Sequence, residues 1–183
     1  GVYGDRGGDW VDESATPDPA TERGARRVAA EAGWRALGRE HGLPIHFFRL
    51  AGIYGSGRNA LETVRQGKAR RIIKEGQVFS RTHVEDIAAV LEASIARPKP
   101  GAAYNVCDDD PAPPQDVVLH ACELLGVSPP PEIPIAEAEL SAMARSFYAE
   151  SKKVSNARIK RELGVVLKYP DYRAGLAALL ADS

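Results

Sequence analysis

Ile45-His46-Phe47-Phe48-Arg49-Leu50, closed by Ala51-Gly52, is the stretch from which the fold is read. It is short, mostly apolar and aromatic, and lies between Pro44 and Gly52. That is the pattern of a strand buried in a parallel sheet, whose two faces are both covered by helices. Upstream, Thr21 to Glu40 carries Ala25, Val28, Ala29, Ala32, Ala36 and Leu37 as an apolar stripe at helical spacing, with Glu31 and Arg35 forming an i,i+4 pair. His41-Gly42-Leu43-Pro44 ends that helix. One helix therefore feeds one buried strand, the repeating unit of an α/β fold.

Working outward, Ala51 to Asn59 is a loop and about Ala60 to Gln66 a short helix, followed by a basic turn and an extended segment from Ile72 to Phe79. The cations Lys68, Arg70, Arg71 and Lys74 could meet phosphate, but such runs usually keep a face solvated. Val84, Ile87, Ala88, Val90 and Leu91 then recur at helical spacing, with Glu85 and Asp86 in the first turn, where acids suit the helix dipole. Arg97 to Gly101 stops this helix, and Ala102 to Cys107 reads as another strand. Gln115 to Leu125 is a helix closed by Gly126, and Ser128 to Pro134 an extended linker. The last third holds helical patches at about Glu137 to Tyr148, Ser155 to Leu163 and Tyr172 to Leu180. Alternating helix and strand followed by a mostly helical end predicts an α/β fold carrying a smaller appended region.

In the other direction, Asp5 to Pro19 is rich in Gly, Asp and Pro and reads as a surface loop. Gly1-Val2-Tyr3-Gly4 resembles a strand end turning into a loop with no strand before it, so the chain is expected to start partway through a fold. With 24 basic and 25 acidic side chains, the charge gives no reason to expect nucleic acid or a membrane surface. No apolar run approaches the roughly 20 residues that span a bilayer. Cys107 and Cys122 lack Cys-x-x-Cys spacing, which points to free thiols in the cytoplasm.

Candidate chemistry is sparse. His41, His46, His83 and His120 are scattered without metal-site spacing, so no metal is expected. Gly55-Ser56-Gly57-Arg58-Asn59-Ala60 matches G-x-G-x-x-A, but Glu75, the nearest acid at ribose-binding distance, does not end a buried strand. Arg81-Thr82-His83 sits where a strand end meets a helix start, a place where open α/β sheets gather ligands; the alternative is local capping. Tyr3, flanked by glycines, is either a packed aromatic or a functional one. Arg23 and Arg27 share a helix face as two fixed cations, able to bind an anion but not to act as a base near neutral pH.

Together these residues resemble a family. Gly1-Val2-Tyr3-Gly4, Asp12-Glu13, Arg49 to Arg58, Phe79 to Asp86, Tyr104-Asn105-Val106, Ser151 to Asn156 and Glu162-Leu163-Gly164-Val165 look like the second half of an extended short-chain dehydrogenase/reductase, nearest the NAD-dependent epimerase/dehydratase group. The resemblance implies part of a doubly wound Rossmann-type parallel sheet, with residues 1–110 as the C-terminal half of a nucleotide-binding domain. Residues 111–183 would form a small, mostly helical substrate region interleaved with it. It implies NAD or NADP as cofactor, with the glycine-rich loop roughly 100 residues ahead of Gly1. Expected partners are a small-molecule substrate such as a nucleotide-sugar, a second copy in a homodimer, and that preceding segment.

One departure is specific. Where the family carries Tyr-x-x-x-Lys, this chain has Arg23-x-x-x-Arg27. The resemblance then makes Arg27 a contact to the cofactor ribose and sets Leu50, Ala51, Gly52 and Ile53 beside the nicotinamide. Tyr3, Arg81 and His83 would face substrate. The catalytic set would be Tyr3, Arg23 and Arg27, an atypical site in which Arg23 cannot do the tyrosine's proton transfer and Tyr3 or His83 must supply the acid. Two further readings stand: a non-catalytic nucleotide-binding sensor or scaffold of the same fold, and a self-contained protein using Gly55 to Ala60 as its phosphate loop.

Overall fold

The computed structural model describes residues 1–182. The elements are β1 (Trp10–Val11), α1 (Glu22–His41), β2 (Phe47–Leu50), β3 (Gly52–Tyr54), α2 (Ala60–Arg65), β4 (Arg71–Ile73), β5 (Arg81–His83), α3 (Val84–Ala96) and β6 (Ala103–Val106). They continue with α4 (Pro114–Leu125), β7 (Glu132–Pro134), α5 (Ala142–Tyr148), β8 (Lys153–Val154), α6 (Ala157–Leu163) and α7 (Tyr172–Ala181). The strands pair as β1 with β8, β2 with β6, β3 with β5 and β4 with β7, and every pair is parallel. Parallel strands need crossover connections, and helices supply them here. This is a Rossmann-type α/β fold.

The helix ends follow from local chemistry. Thr21 accepts the Gly24 amide to start α1, and Gly42, at φ 66°, closes it in the left-handed conformation that a side chain disfavours. Asn59 and Asp171 cap α2 and α7 in the same manner. One core gathers Val90 of α3, Tyr104 and Val106 of β6, and Ile159 and Leu163 of α6. A second joins Leu61, Ala112, Val117 and Ala121 to Tyr172 and Leu176 of α7. A third, smaller one holds Val2, Tyr3 and Val11. Since β1 pairs with β8 and β4 with β7, residues before and after position 110 interleave.

Several elements depart from expectation. The stretch at β2 is half-buried, with Leu50 43% exposed, because among the described residues it has a strand neighbour on one edge alone. The alanine stripe of α1 faces outward; the helix rests instead on Gly24, Val28, Glu31, Arg35 and Gly38, where small and polar side chains fit against the sheet. The extended run at 72–79 is a three-residue strand broken by a turn at Gly76, φ 70°. The linker at 128–134 contains β7, held by pairing with β4. The predicted helix from Glu137 forms only over Ala142–Tyr148, after Ser141 caps it. Gly55 and Arg58 bridge across a tight turn, and a Cβ on Gly55 would meet Val84 Cγ1 at 2.7 Å. Its glycine is thus explained by packing, and the six-residue α2 that follows is a short capped turn outside the β2–β6 pair.

Candidate functional site

The site is assembled from the strand ends and from α1 and α5. Tyr3 is 3% exposed: its hydroxyl donates to Asn105 Oδ1 at 2.6 Å and accepts from Arg49 Nη1 at 2.8 Å. Arg49 grips Glu31 of α1 through two bonds, Nε to Oε2 at 3.1 Å and Nη2 to Oε1 at 2.7 Å, and Arg35 adds a third at 2.8 Å. Burial raises the Tyr3 pKa, and the Arg49 bond opposes it only in part. Burial works against the ionised Glu31 too, but Arg49 and Arg35 outweigh it and hold its carboxyl below the usual range. Tyr3 thus keeps its proton and ties three elements together. Asn105 completes the tie by donating its amide to Glu13 at 2.7 Å.

The network fixes the rotation of α1 and with it the arginine pair. Arg23 lies 5.2 Å from the centre of the Phe147 ring of α5, a cation–π contact. Arg23, Arg27 and Lys152 all lie near Gly1, so three cations cluster there. Lys152 Nζ donates to Gly4 O at 2.6 Å and to Glu150 Oε2 at 2.6 Å, leaving the arginines as the pair offered outward.

Arg81 and His83 are spent differently. Arg81 Nη1 donates to the carbonyls of Phe79 and Ala112 at 2.8 and 3.1 Å, pinning the entry to β5. His83 is buried between Tyr54 and Tyr169, and its Nδ1 accepts the Glu85 amide at 3.3 Å as the cap of α3. Burial lowers its pKa, so the ring is neutral. The capping reading of the sequence is therefore present in the geometry. Nearby, Asp108 has neither carboxylate oxygen in a hydrogen bond, and burial pushes its pKa up to about 7 while the Arg81 charge pulls it back.

Leu50, Ala51, Gly52 and Ile53 lie together at the carboxyl end of β2 and the start of β3, with Leu50 and Ile53 exposed. An apolar rim at the carboxyl ends of parallel strands is where open α/β sheets take ligands, and the exposed Leu50 and Ile53 are chemically compatible with a nicotinamide ring.

Sequence reasoning missed a pocket at β4, β7 and α5. Lys74, Ile135, Ala136, Ala138, Leu140, Arg145, Tyr148 and Ala149 line this open pocket of about 420 Å³. Two cations and no acid line it, with an aromatic and aliphatic wall. Lys74 donates to the Tyr148 carbonyl, and Arg70 to that of Glu139 at 2.7 Å. The cation cluster of the sequence was the signal; what it lacked was α5, more than 60 residues away, which turns part of a basic surface into a pocket. Among the described residues no group of His, Cys, Asp and Glu could hold a metal, and no helix is long and apolar enough to cross a membrane.

Comparison with solved structures gives the class first. The chain is similar to UDP-glucose 4-epimerase of Thermus thermophilus in complex with NAD, with a TM-score of 0.75 at 19% identity, covering 100% of this chain and 61% of that one. It is also similar to a putative NAD-dependent epimerase/dehydratase of Methylobacillus flagellatus, at TM-score 0.70 and 29% identity over 99% of this chain and 60% of that one. The fold is therefore that of the NAD-dependent epimerases and dehydratases, and relatives of that fold have been solved with NAD bound.

Two nearer likenesses carry no activity in their names. A conserved protein of unknown function from Silicibacter pomeroyi matches at 60% identity and a TM-score of 0.93, over 99% of this chain and 62% of that one. Protein YeeZ of Escherichia coli K12 is 31% identical over 174 residues, 93% of this chain. The chain spans 56% of the length of that curated relative. No family model matches it.

Proposed function

We propose that this chain is the substrate-closing portion of an atypical NAD(P)-binding, epimerase/dehydratase-like oxidoreductase, acting on an anionic small molecule of the nucleotide-sugar class. The observation that carries the reading is the acid-free cavity of Lys74, Arg145 and Tyr148, joined through α5 to the arginine pair of α1. Two cations beside an aromatic wall match a ligand with phosphate at one end and a ring at the other. When bound, the nicotinamide would supply hydride transfer. Leu50 to Ile53 border it, Arg27 binds its ribose or phosphate, and Arg23 polarises without exchanging a proton. Tyr3, held by Asn105 and Arg49, positions the Gly1 to Gly4 turn and keeps its proton; Arg81 and His83 hold the strand ends in place.

Calorimetric titration of the full-length protein with NADPH, NADH and UDP-glucose tests this. Saturable binding of a nicotinamide nucleotide is expected, and Lys74→Ala with Arg145→Ala should weaken UDP-glucose tenfold or more while sparing the cofactor, at about 1.4 kcal/mol per decade. No saturable binding of either cofactor removes the reading. A second reading, a nucleotide sensor without turnover, is favoured by Arg23-x-x-x-Arg27 itself. Under it Arg27→Ala loses affinity and Tyr3→Phe changes nothing in the ligand response, whereas an enzyme that uses Tyr3 loses turnover with the second variant.

A further inference from the structure

Trp10 lies apart from that site. In β1 the chain alternates, so Val11 turns into the small core with Val2 and Tyr3 while Trp10 turns outward, 59% exposed, in register with Lys153 of β8. An exposed indole beside a concavity is a common anchor for ligands that have an apolar face and a polar edge. Here the concavity is a second groove of about 580 Å³, lined by Trp10, Val11, Asp12, Ser14, Ala15 and Ser155. It shares no lining residue with the Lys74 cavity.

The groove is rigidly built. The Lys153 amide donates to Asp9 O at 2.9 Å and the Ser155 amide to Val11 O at 2.8 Å, holding β1 along its β8 edge at both ends. Arg6 bonds the carbonyls of Tyr3 and Thr16 at 3.0 and 2.7 Å, closing the loop behind it. A wall fixed before binding loses little entropy on binding.

Its polar groups are few and aimed. Asp12 Oδ1 accepts both the Ser14 amide at 2.8 Å and the Ser14 hydroxyl at 2.5 Å, which keeps the carboxylate ionised. Both Ser14 bonds fall on Oδ1, and the Asp12 side chain is exposed beside the indole. Ser155 Oγ accepts the Ala157 amide at 3.3 Å, a bond that leaves the hydroxyl free to donate. No lysine or arginine lines the groove, which disfavours phosphate or carboxylate ligands. What remains is a flat aromatic face, an ionised acceptor, a hydroxyl donor and a small apolar floor of Val11 and Ala15.

We propose that this groove is a carbohydrate-binding site: a neutral pyranose stacks its C–H face on Trp10, two neighbouring hydroxyls donate to Asp12 Oδ2, and a third accepts from Ser155. The proposal stands independently of the oxidoreductase reading, since no residue is shared.

The chain has two tryptophans, so Trp34→Phe leaves Trp10 as the sole reporter. Titrating that variant with methyl β-D-glucopyranoside and with maltose should give a saturable emission change at millimolar sugar, the range of weak single-site recognition. Saturation-transfer NMR on the full chain should show Trp10→Ala weakened at least tenfold and Trp10→Phe by no more than about threefold, since a phenyl ring keeps a stacking face. Asp12→Asn should lose about tenfold with its charge-assisted acceptor, and Ile95→Lys, on an exposed face of α3, should bind sugar as the parent does. The proposal is overturned by no saturation with either sugar up to about 100 mM, by unchanged sugar binding in Trp10→Ala, or by choline saturating the signal where sugars do not.

Discussion

Removing one oxygen from Tyr3 strands two partners at once. Tyr3→Phe leaves Asn105 Oδ1 and one Arg49 donor unpaired in a buried setting, which is expected to cost about 1–3 kcal/mol in urea unfolding. Arg49→Ala should cost more, because it also leaves the largely buried Glu31 with Arg35 alone. Asp108 gives a pH signature of known sign. Its folded pKa, about 7, lies above the unfolded value, so the folded state binds the extra proton between roughly pH 4 and 7. Stability contributed by this group is therefore lost as pH rises through that window. Asp108→Asn should raise the melting temperature at pH 8 and leave it nearly unchanged at pH 4; an equal effect at both would contradict the assignment. Buried neutral His83 acts oppositely, losing its contribution as pH falls below about 6.5, and cancels in the comparison of variant with parent. At this scale the sequence marked Tyr3 and His83 as residues of interest but not their partners, since Asn105 lies 102 positions from Tyr3.

At the scale of elements, α7 docks by touching glycine to tyrosine. A Cβ on Gly175 would lie 2.1 Å from Tyr54 Oη and 2.7 Å from a ring carbon, so Gly175→Ala must push α7 off β3. Overpacking of this kind typically costs about 1–3 kcal/mol, visible as a lowered thermal midpoint with loss of near-UV signal from Tyr54. The helix α3 has two apolar faces with unequal duties. Val90 is fully buried against α6 and β6, whereas Ile95 is 79% exposed. Val90→Ala is expected to cost about 2 kcal/mol, and Ile95→Lys to stay within about 0.5 kcal/mol, by denaturant midpoint. Periodicity located α1, α3, α4 and α7 almost to the residue, because caps and apolar spacing are local. It misjudged which face of α1 is covered, since spacing shows where a stripe lies on a helix and carries no information about the neighbour it meets.

For the molecule as a whole, the Lys74–Arg145 cavity sets the expected response to salt. Binding of an anionic ligand there should weaken as ionic strength rises from about 0.01 to 0.15 M, over which the screening length falls from roughly 30 to 8 Å. Isothermal titration with UDP-glucose at the two salts checks it, and a salt-independent affinity would remove the role assigned to the two cations. The cavity exists because β4 pairs with β7 across some 60 residues and α5 folds back over the pair. Neither relation leaves a trace in local sequence. The parallel α/β class, by contrast, was legible from the order of helices and strands and from the apolar run at 45–50.

What the sequence by itself determined is therefore the local and the chemical: where helices begin and stop, that Arg23 and Arg27 stand four apart on one helix as two fixed cations, and that the chain resembles the epimerase/dehydratase fold. What only the tertiary structure decided is which of those residues meet. Tyr3 reaches Asn105 and Arg49, Arg23 reaches Phe147, and Lys74 reaches α5. The physical reason is that side-chain type and spacing fix propensity and charge over a few residues, while contacts between distant segments depend on how the parallel ladders bring the chain back on itself.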